Sequence, residues 1–382
     1  MHIAFIHKEF PCGGAEQATI DIANYLVERG HRATVLVQHH NAEDYPRDCR
    51  RLFAVEPLPE GGYKHSRHIA QHVVDFVRRE GVDVLATYRQ LLYMPWLKQQ
   101  VDVKVVFVLH SLPFYEMIDC EEKKKESRAK RLLYSLGGAW LLEQFYLRKY
   151  RSVYAWADAY GVLCEGYKQI VIEKLGLSAS DNRLHVLPNC THLPDNVVRE
   201  KQKTIVFVGR LTRRDKRVDR LLRIWAEASR ALPEWTLKIV GDGKDRKNLE
   251  RLSAELGLER ILFEGFSTQV KSYLDEASVA CMTSSFEGWP LSVAEAQANG
   301  VVPVLFNSFA GASDLVSSPD EGLLIPPFDE HAYARALTAL CQDPARLKEM
   351  QEAVLQKSQR YTLARMGEAW MQTLNTFQTL KR

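Results

Sequence analysis

The sequence predicts two α/β domains in series, each a parallel sheet with helices on both faces. Short apolar runs alternate with amphipathic stretches, the pattern of strands joined by crossover helices. The alternation stops at a polar stretch over residues 191–203 and restarts behind it. A chain of 382 residues is long enough to bury two separate cores.

Ahead of the polar stretch, strands are expected at 3–6, 33–37, 82–86, 104–109 and 160–163, each an apolar run too short for a helix. Apolar residues at helical spacing predict helices at about 15–29 and 65–79, and within 121–151. Behind it, strands are expected at 204–208, 236–240, 260–263, 279–282 and 301–306. Helices near 218–231, 244–256, 269–276 and 291–299 alternate with them. Pro290 suits the first turn of the last of these helices, and Gly300 suits its end. Three more helical stretches follow from Asp329. The boundary falls near residue 195, so the domains are expected at 1–195 and 196–360, with a closing helix in 361–382. Two such domains place a cleft between their strand ends, where open α/β sheets bind ligands.

Composition narrows the class. A hydrophobic fraction of 46% and a charged fraction of 26% describe a soluble globular protein. A net charge of +3 is too small to argue for nucleic acid as the partner. Seven scattered cysteines without a Cys-x-x-Cys suit reduced thiols and argue against a zinc site. The opening strand runs straight into His7-Lys8-Glu9, unlike a secretory leader, and no apolar run reaches the ~20 residues of a membrane span. A cytoplasmic protein is expected.

Most of the chemistry lies in residues 285–295, Ser-Phe-Glu-Gly-Trp-Pro-Leu-Ser-Val-Ala-Glu. Glu287 is expected in the loop after a buried strand, facing a helix N-terminus, with Glu295 about two turns downstream. That sheet edge binds ligands, and helix N-termini attract phosphate. A carboxylate there is suited to accepting hydrogen bonds from hydroxyls. A ligand with phosphates and many hydroxyls is a nucleotide sugar. Other candidates end other strands. Gly13-Gly14-Ala15-Glu16 opens the first helix, Gly209-Arg210 is followed by Lys216, and Gly241-Asp242-Gly243 and Glu264-Gly265-Phe266-Ser267 follow two later strands. Glycines let backbone approach a ligand, and two cations aimed at a leaving diphosphate favour its departure. The rest of the basic run, Arg213, Arg214, Arg217 and Arg220, reads as a solvated face. His110 ends the strand at 104–109 and points to the expected cleft.

On these motifs, in this order, the chain resembles the retaining glycosyltransferases of family 4. Their GT-B fold has two Rossmann-like domains facing across a cleft, with the last helix crossing back to the first. The resemblance spans nearly the whole chain and is strongest from Ile205 to Pro326. It implies transfer of a sugar from a nucleoside diphosphate to a hydroxyl of a glycan or lipid-linked glycan acceptor in surface polysaccharide or lipopolysaccharide synthesis. UDP-hexose or UDP-N-acetylhexosamine is the expected donor, with GDP the runner-up.

The same resemblance assigns residues. Gly13 and Gly14 would lie under the donor diphosphate, and Glu16 would cap its helix or meet the acceptor. Arg210 and Lys216 would hold the phosphates, with Arg217 as an alternate to Lys216. Gly241 would form a turn, Gly265 and Phe266 would meet the base, and Glu295 the ribose. Glu287 would lie by the donor sugar with the amides of Gly288, Trp289 and Leu291, since Pro290 has no N–H. His110 would contact the donor sugar or the transferred proton. No metal and no other cofactor is expected, because no Asp-x-Asp ends a strand. A sugar-nucleotide 2-epimerase and a non-catalytic carbohydrate-binding relative are the alternatives.

Residues 123–151 hold nine Lys or Arg against Glu126 and Glu143, interleaved with Trp140, Leu141, Phe145 and other apolar residues. That composition suits either the surface of an anionic bilayer or a core helix with a basic end. Peripheral contact with the inner face of the cytoplasmic membrane is one expectation.

Overall fold

The computed structural model describes residues 1–11, 13–44, 50–117 and 138–379. The chain forms two compact units, Met1–Pro188 with Met366–Arg382, and Asn189–Arg365.

The first unit is built on a seven-stranded parallel sheet. Its strands are β1 (His2–Phe10), β2 (Arg32–His40), β3 (Ala54–Pro57), β4 (Val84–Thr87), β5 (Lys104–Leu109), β6 (Ala159–Val162) and β7 (Leu184–Val186). They lie in the order β3-β2-β1-β4-β5-β6-β7. Ile3 pairs with Ala33 on one side and Val84 on the other. Ile3, Ala4 and Phe5 have no exposed surface, because helices cover both faces of a parallel sheet. The helices are α1 (Gly14–Glu28), α2 (Arg67–Glu80), α3 (Met94–Gln100), α4 (Ala139–Trp156) and α5 (Glu165–Leu175). Helix α2 shows why these segments hold. Ser66 caps it by accepting from the Ile69 N–H at 3.3 Å, and Ile69, Ala70, Val73, Val74 and Val77 form one buried stripe.

The second unit has six parallel strands in the order β10-β9-β8-β11-β12-β13. These are β8 (Thr204–Val208), β9 (Thr236–Val240), β10 (Ile261–Gly265), β11 (Val279–Met282), β12 (Val302–Phe306) and β13 (Leu323–Ile325). Between and after them come α6 (Val218–Ala228), α7 (Arg246–Glu255), α8 (Val270–Glu276), α9 (Leu291–Ala298), α10 (Ala310–Leu315), α11 (Glu330–Gln342) and α12 (Pro344–Ser358). Trp225 on α6 is fully buried, and its indole N–H donates to the Glu259 carbonyl at 3.1 Å. Burying such a side chain is worth about 3 kcal/mol only when its polar atom is satisfied. Tyr333 on α11 plays a similar part, accepting from the Met282 N–H on β11 and donating to the Val304 carbonyl on β12.

The last helix, α13 (Leu363–Thr379), supplies Met366, Trp370, Leu374 and Phe377 to the first unit's core. Trp370 packs 5.8 Å from the Phe5 ring on β1. Cys164, Cys190, Cys281 and Cys341 are buried and unbridged.

The fold follows the α/β expectation, with differences at the periphery. Strands β3, β7 and β13 were not foreseen, and each forms an edge of its sheet. Helices α3, α5 and α10 lie in stretches to which the sequence reading assigns no element. Pro290 sits at the N-cap in extended backbone, one residue ahead of α9. Gln17 donates to Gly13 O at the start of α1, and no side chain caps that helix.

Candidate active site

In the second unit the strand order reverses between β8 and β11. The chain runs outward from β8 to β9 and β10, then returns to place β11 on the other side of β8. Loops leaving β8 and β11 therefore start side by side, and this switch point is where doubly wound sheets take ligands. Two hydrogen bonds stitch the loops together. The Ser285 N–H donates to the Asp215 carbonyl at 2.8 Å, and the Thr283 hydroxyl to the Arg217 carbonyl at 3.0 Å. Arg217 itself adopts φ 49°, a left-handed conformation that such fastening has to hold in place.

The stitching brings Lys216 Nζ to 2.7 Å from Glu287 Oε1. The Ser284 hydroxyl donates to the same oxygen at 2.6 Å. Both charged side chains are mostly enclosed, at 16% and 11% exposure, so their attraction is little screened by water. Arg210 differs. Its side chain is exposed, and among the described residues no hydrogen bond or ion pair holds its guanidinium.

The remaining loops of this edge converge on the same end of the sheet. The Leu211 N–H donates to Asp242 O at 2.9 Å, and the Gly241 N–H to Gly265 O at 2.8 Å. At Gly241, φ is 137° and a Cβ would stand 2.0 Å from the Gly209 carbonyl, so only glycine fits. Arg210, Gly241 and Phe266 line one cavity of about 370 Å³ with Gly209, Asp242 and Ser267. Phe266 presents its ring there at 77% exposure.

Helix α9 begins behind Glu287. Among the described residues, no hydrogen bond takes the amides of Gly288, Trp289 or Leu291. Those groups and the helix dipole make a place for negative charge. The Trp289 ring is 7% exposed and packs edge-on against Tyr361, so only its backbone is available. Glu295 is the fifth residue of α9, so its distance from Glu287 is half loop and half helix, not two helical turns. Its carboxylate has no hydrogen bond among the described residues. Burial raises its pKa, against the pull of His192.

Two readings of the basic run need correction. Arg220 is buried at 8% exposure, with its guanidinium 4.0 Å over the Phe328 ring and hydrogen-bonded to Ser285. Arg217 is committed to Asp219 at 3.0 Å. Both therefore serve the fold, and neither belongs to a solvated face.

In the first unit the strand order reverses between β1 and β4. A cavity of about 310 Å³ opens there, lined by residues that include His7, Glu16, Tyr88, Arg89, His110 and Tyr160. Glu16 lies 3.6 Å from His7 Nδ1. Thr19 Oγ1 is 2.9 Å from both His7 Nε2 and the Tyr88 hydroxyl. Tyr88 in turn meets the His110 ring edge-on at 4.6 Å. Burial, and then His7, lower the His110 pKa to about 3, so the ring is neutral at neutral pH. Gly13 (φ 117°) stands against Glu16, where a Cβ would lie 2.5 Å from its carboxylate. Gly13 and Gly14 do not line the cavity.

Sequence reasoning missed Ser284 and Asp215 in the second unit and Tyr88, Arg89 and Lys64 in the first. A hydroxyl three residues ahead of Glu287 was the one local signal for Ser284.

Of segment 123–151, residues 123–137 lie outside those described. In α4, Trp140, Leu141 and Phe145 are 62%, 63% and 62% exposed, while Leu147, Tyr150, Val153 and Tyr154 are buried. No helix among the described residues is long and apolar enough to cross a membrane.

Two family profiles account for most of the chain. "Glycosyltransferase Family 4" matches residues 12–193 and "Glycosyl transferases group 1" matches residues 191–357. An uncharacterised glycosyltransferase of Haemophilus influenzae is 26% identical over 369 residues, covering 96% of this chain and 97% of that one. A Campylobacter jejuni α-1,4-N-acetyl-D-galactosaminyltransferase, named for an undecaprenol-diphosphate-linked glycan, is 24% identical over 386 residues, 98% of each chain. The crystal structure of Anabaena HepE in complex with UDP superposes with a TM-score of 0.77 at 18% identity, covering 98% of this chain and 100% of that one. The chain belongs to the family 4 glycosyltransferases and has the GT-B fold. It is a glycosyltransferase.

Proposed function

We propose that this enzyme moves a hexosyl or N-acetylhexosaminyl group from a UDP-sugar to a hydroxyl of a glycan or lipid-linked glycan, with retention at the anomeric carbon and without a metal. The transfer would serve surface polysaccharide or lipopolysaccharide synthesis. The observation that carries this is the enclosed Lys216–Glu287 pair beside unpaired amides at the start of α9. The UDP complex of HepE and the lipid-linked glycan in the Campylobacter enzyme's name support the donor and acceptor classes.

In this reading Arg210, Lys216 and the α9 amides meet the charge that grows on the diphosphate. The C1–O bond to the diphosphate breaks, and the leaving oxygen takes the electron pair. The acceptor oxygen bonds to C1 on the same face, and its proton passes to a diphosphate oxygen. Each preorganised donor in such a site is worth about 10²–10³ in rate. Glu287 is poorly placed as a covalent nucleophile, because Lys216 and Ser284 both hold one of its oxygens. It serves better as a fixed acceptor for sugar hydroxyls and as a negative charge near C1. Glu295 accepts the ribose hydroxyls, and Phe266 offers a face to the base. Neutral His110 would contact the donor sugar or the transferred proton, as donor or acceptor of a hydrogen bond. The exposed Trp140, Leu141 and Phe145, with Arg148 and Arg151, suit contact with an anionic membrane surface.

The test is a screen of the purified chain against UDP-, GDP- and ADP-sugars in EDTA, followed by anomeric analysis of product. Slow release of one nucleoside diphosphate names the donor. Isomerisation of the sugar without transfer makes the protein an epimerase. Failure to bind any nucleoside diphosphate overturns the reading.

A further inference from the structure

The cavity of the first unit has a charge pattern that a neutral sugar does not need. Among the described residues four cations line it, Lys8, Lys64, Arg89 and Lys149, against two carboxylates, Glu16 and Glu116. Both carboxylates are already engaged. Glu116 pairs with Lys149 at 2.8 Å and accepts from the Tyr150 hydroxyl at 3.0 Å, while Glu16 faces His7. Lys8 pairs with Glu9 at 3.3 Å. Lys64 and Arg89 are left over. Neither side chain has a hydrogen bond or an ion pair among the described residues.

The two cations also sense each other. Lys64 is pulled below the usual lysine range, first by burial and then by Arg89 and Lys149, and Glu116 offsets this only in part. Both side chains are exposed, and two like charges only partly offset by Glu116 favour an anion between them. The wall beside them is aromatic and includes Tyr160, a residue 1% exposed whose hydroxyl has no hydrogen-bond partner. A buried hydroxyl without a partner is a rare cost that a bound polar group or water would relieve.

We propose that this cavity takes an acceptor carrying an anionic group, phosphoryl or carboxyl, held by Lys64 and Arg89. The inference rests on the reading of the first unit as the acceptor side. An arginine fork and a lysine point charge are a fitting pair for such oxygens, and tyrosine faces suit the apolar face of a sugar ring. The anion has two possible carriers, the acceptor sugar itself or the diphosphate of an isoprenoid carrier.

The experiment is calorimetric titration of the full chain with excess UDP, using methyl α-glucoside, glucose 6-phosphate, glucuronate and farnesyl diphosphate. The Lys64→Gln/Arg89→Gln double variant is titrated alongside. At least one anionic probe should bind about tenfold or more tightly than methyl α-glucoside, and the double variant should lose that advantage. Preference for the phosphorylated or carboxylated sugar places the anion on the sugar, and preference for farnesyl diphosphate places it on the carrier. Anionic probes that bind no better than the neutral glycoside, that fail to bind at about 1 mM, or that keep their preference in the variant overturn the proposal. UDP binding read in the same samples separates the two ideas. Intact UDP binding without anion preference sinks the acceptor proposal alone, whereas loss of UDP binding in the wild type sinks the nucleotide-sugar reading.

Discussion

Lys216 and Glu287 lie 71 residues apart in sequence and 2.7 Å apart in space. Adjacent strands and two loop-to-loop hydrogen bonds hold them there, so the pair is assembled before any donor arrives. A preorganised charge costs no rearrangement during reaction. Lys216→Ala and Glu287→Gln should each lower kcat/KM by about 10²–10³. The double variant should lose little more than either single one, since each change already breaks the same unit. Strictly additive losses in steady-state kinetics would mean that the two side chains act separately.

Glu295 gives a case where stability and function oppose each other. Its side chain is half-buried and desolvation raises the carboxyl pKa, so ionisation is disfavoured in the folded state. The contribution is present at low pH and lost as pH rises through the folded value. Glu295→Gln should therefore raise the Tm at neutral pH while weakening nucleotide binding by about tenfold. For the wild type, nucleotide affinity should fall as pH drops through that raised pKa. A glutamine variant that is less stable would refute the burial argument.

Gly241→Ala puts a methyl group within reach of the Gly209 carbonyl, where backbone has no room to yield. The second unit should lose about 3 kcal/mol or more. Thermal unfolding and nucleotide binding should both suffer, and near-wild-type values in both would contradict the turn geometry.

His110 makes the first unit sensitive to acid. Its pKa is depressed to about 3, so between the ordinary histidine value of 6.5 and that figure the unfolded chain binds more protons. Stability should fall as pH drops below 6.5, and His110→Phe should flatten that slope. Thermal denaturation between pH 4.5 and 7.5 reads it. Unchanged acid sensitivity in the variant would place the effect elsewhere, with buried His7 the next candidate.

Trp140, Leu141 and Phe145 project from the first two turns of α4. Changing all three to serine should reduce the affinity for anionic vesicles, read by co-sedimentation, by about 100-fold or more, since each buried apolar side chain contributes about 1–3 kcal/mol. Thermal stability should stay unchanged. Equal binding by both proteins would return this face to ordinary exposed surface.

The sequence was most informative where backbone must do something special. Strands β5, β8, β9 and β11 have the expected bounds, because central parallel strands are buried on both faces and read as unbroken apolar runs. The edge strands β3 and β7 were invisible for the opposite reason. Ala54-Val-Glu-Pro57 and Leu184-His-Val186 are short, and each is interrupted by a polar residue. Within the second unit, strand-end glycines and the Glu-Gly-Trp-Pro segment marked the right loops. What they could not show was pairing. Nothing local to Lys216 names Glu287 as its partner, or says that Arg220, four residues further on, turns inward over Phe328. The unpaired cations of the first unit were hidden for the same reason, since Lys64 and Arg89 come from different loops.

Helix α13 makes the first unit discontinuous in the chain, whereas the second is one uninterrupted segment. All that the second unit needs lies in one contiguous stretch, residues 189–365. The first unit must wait for Trp370, Leu374 and Phe377 to close over β1. The part translated first therefore matures last. A chain clipped behind residue 365 would keep the second unit whole and leave the first with an open apolar face over β1, a ready target for chaperones and proteases.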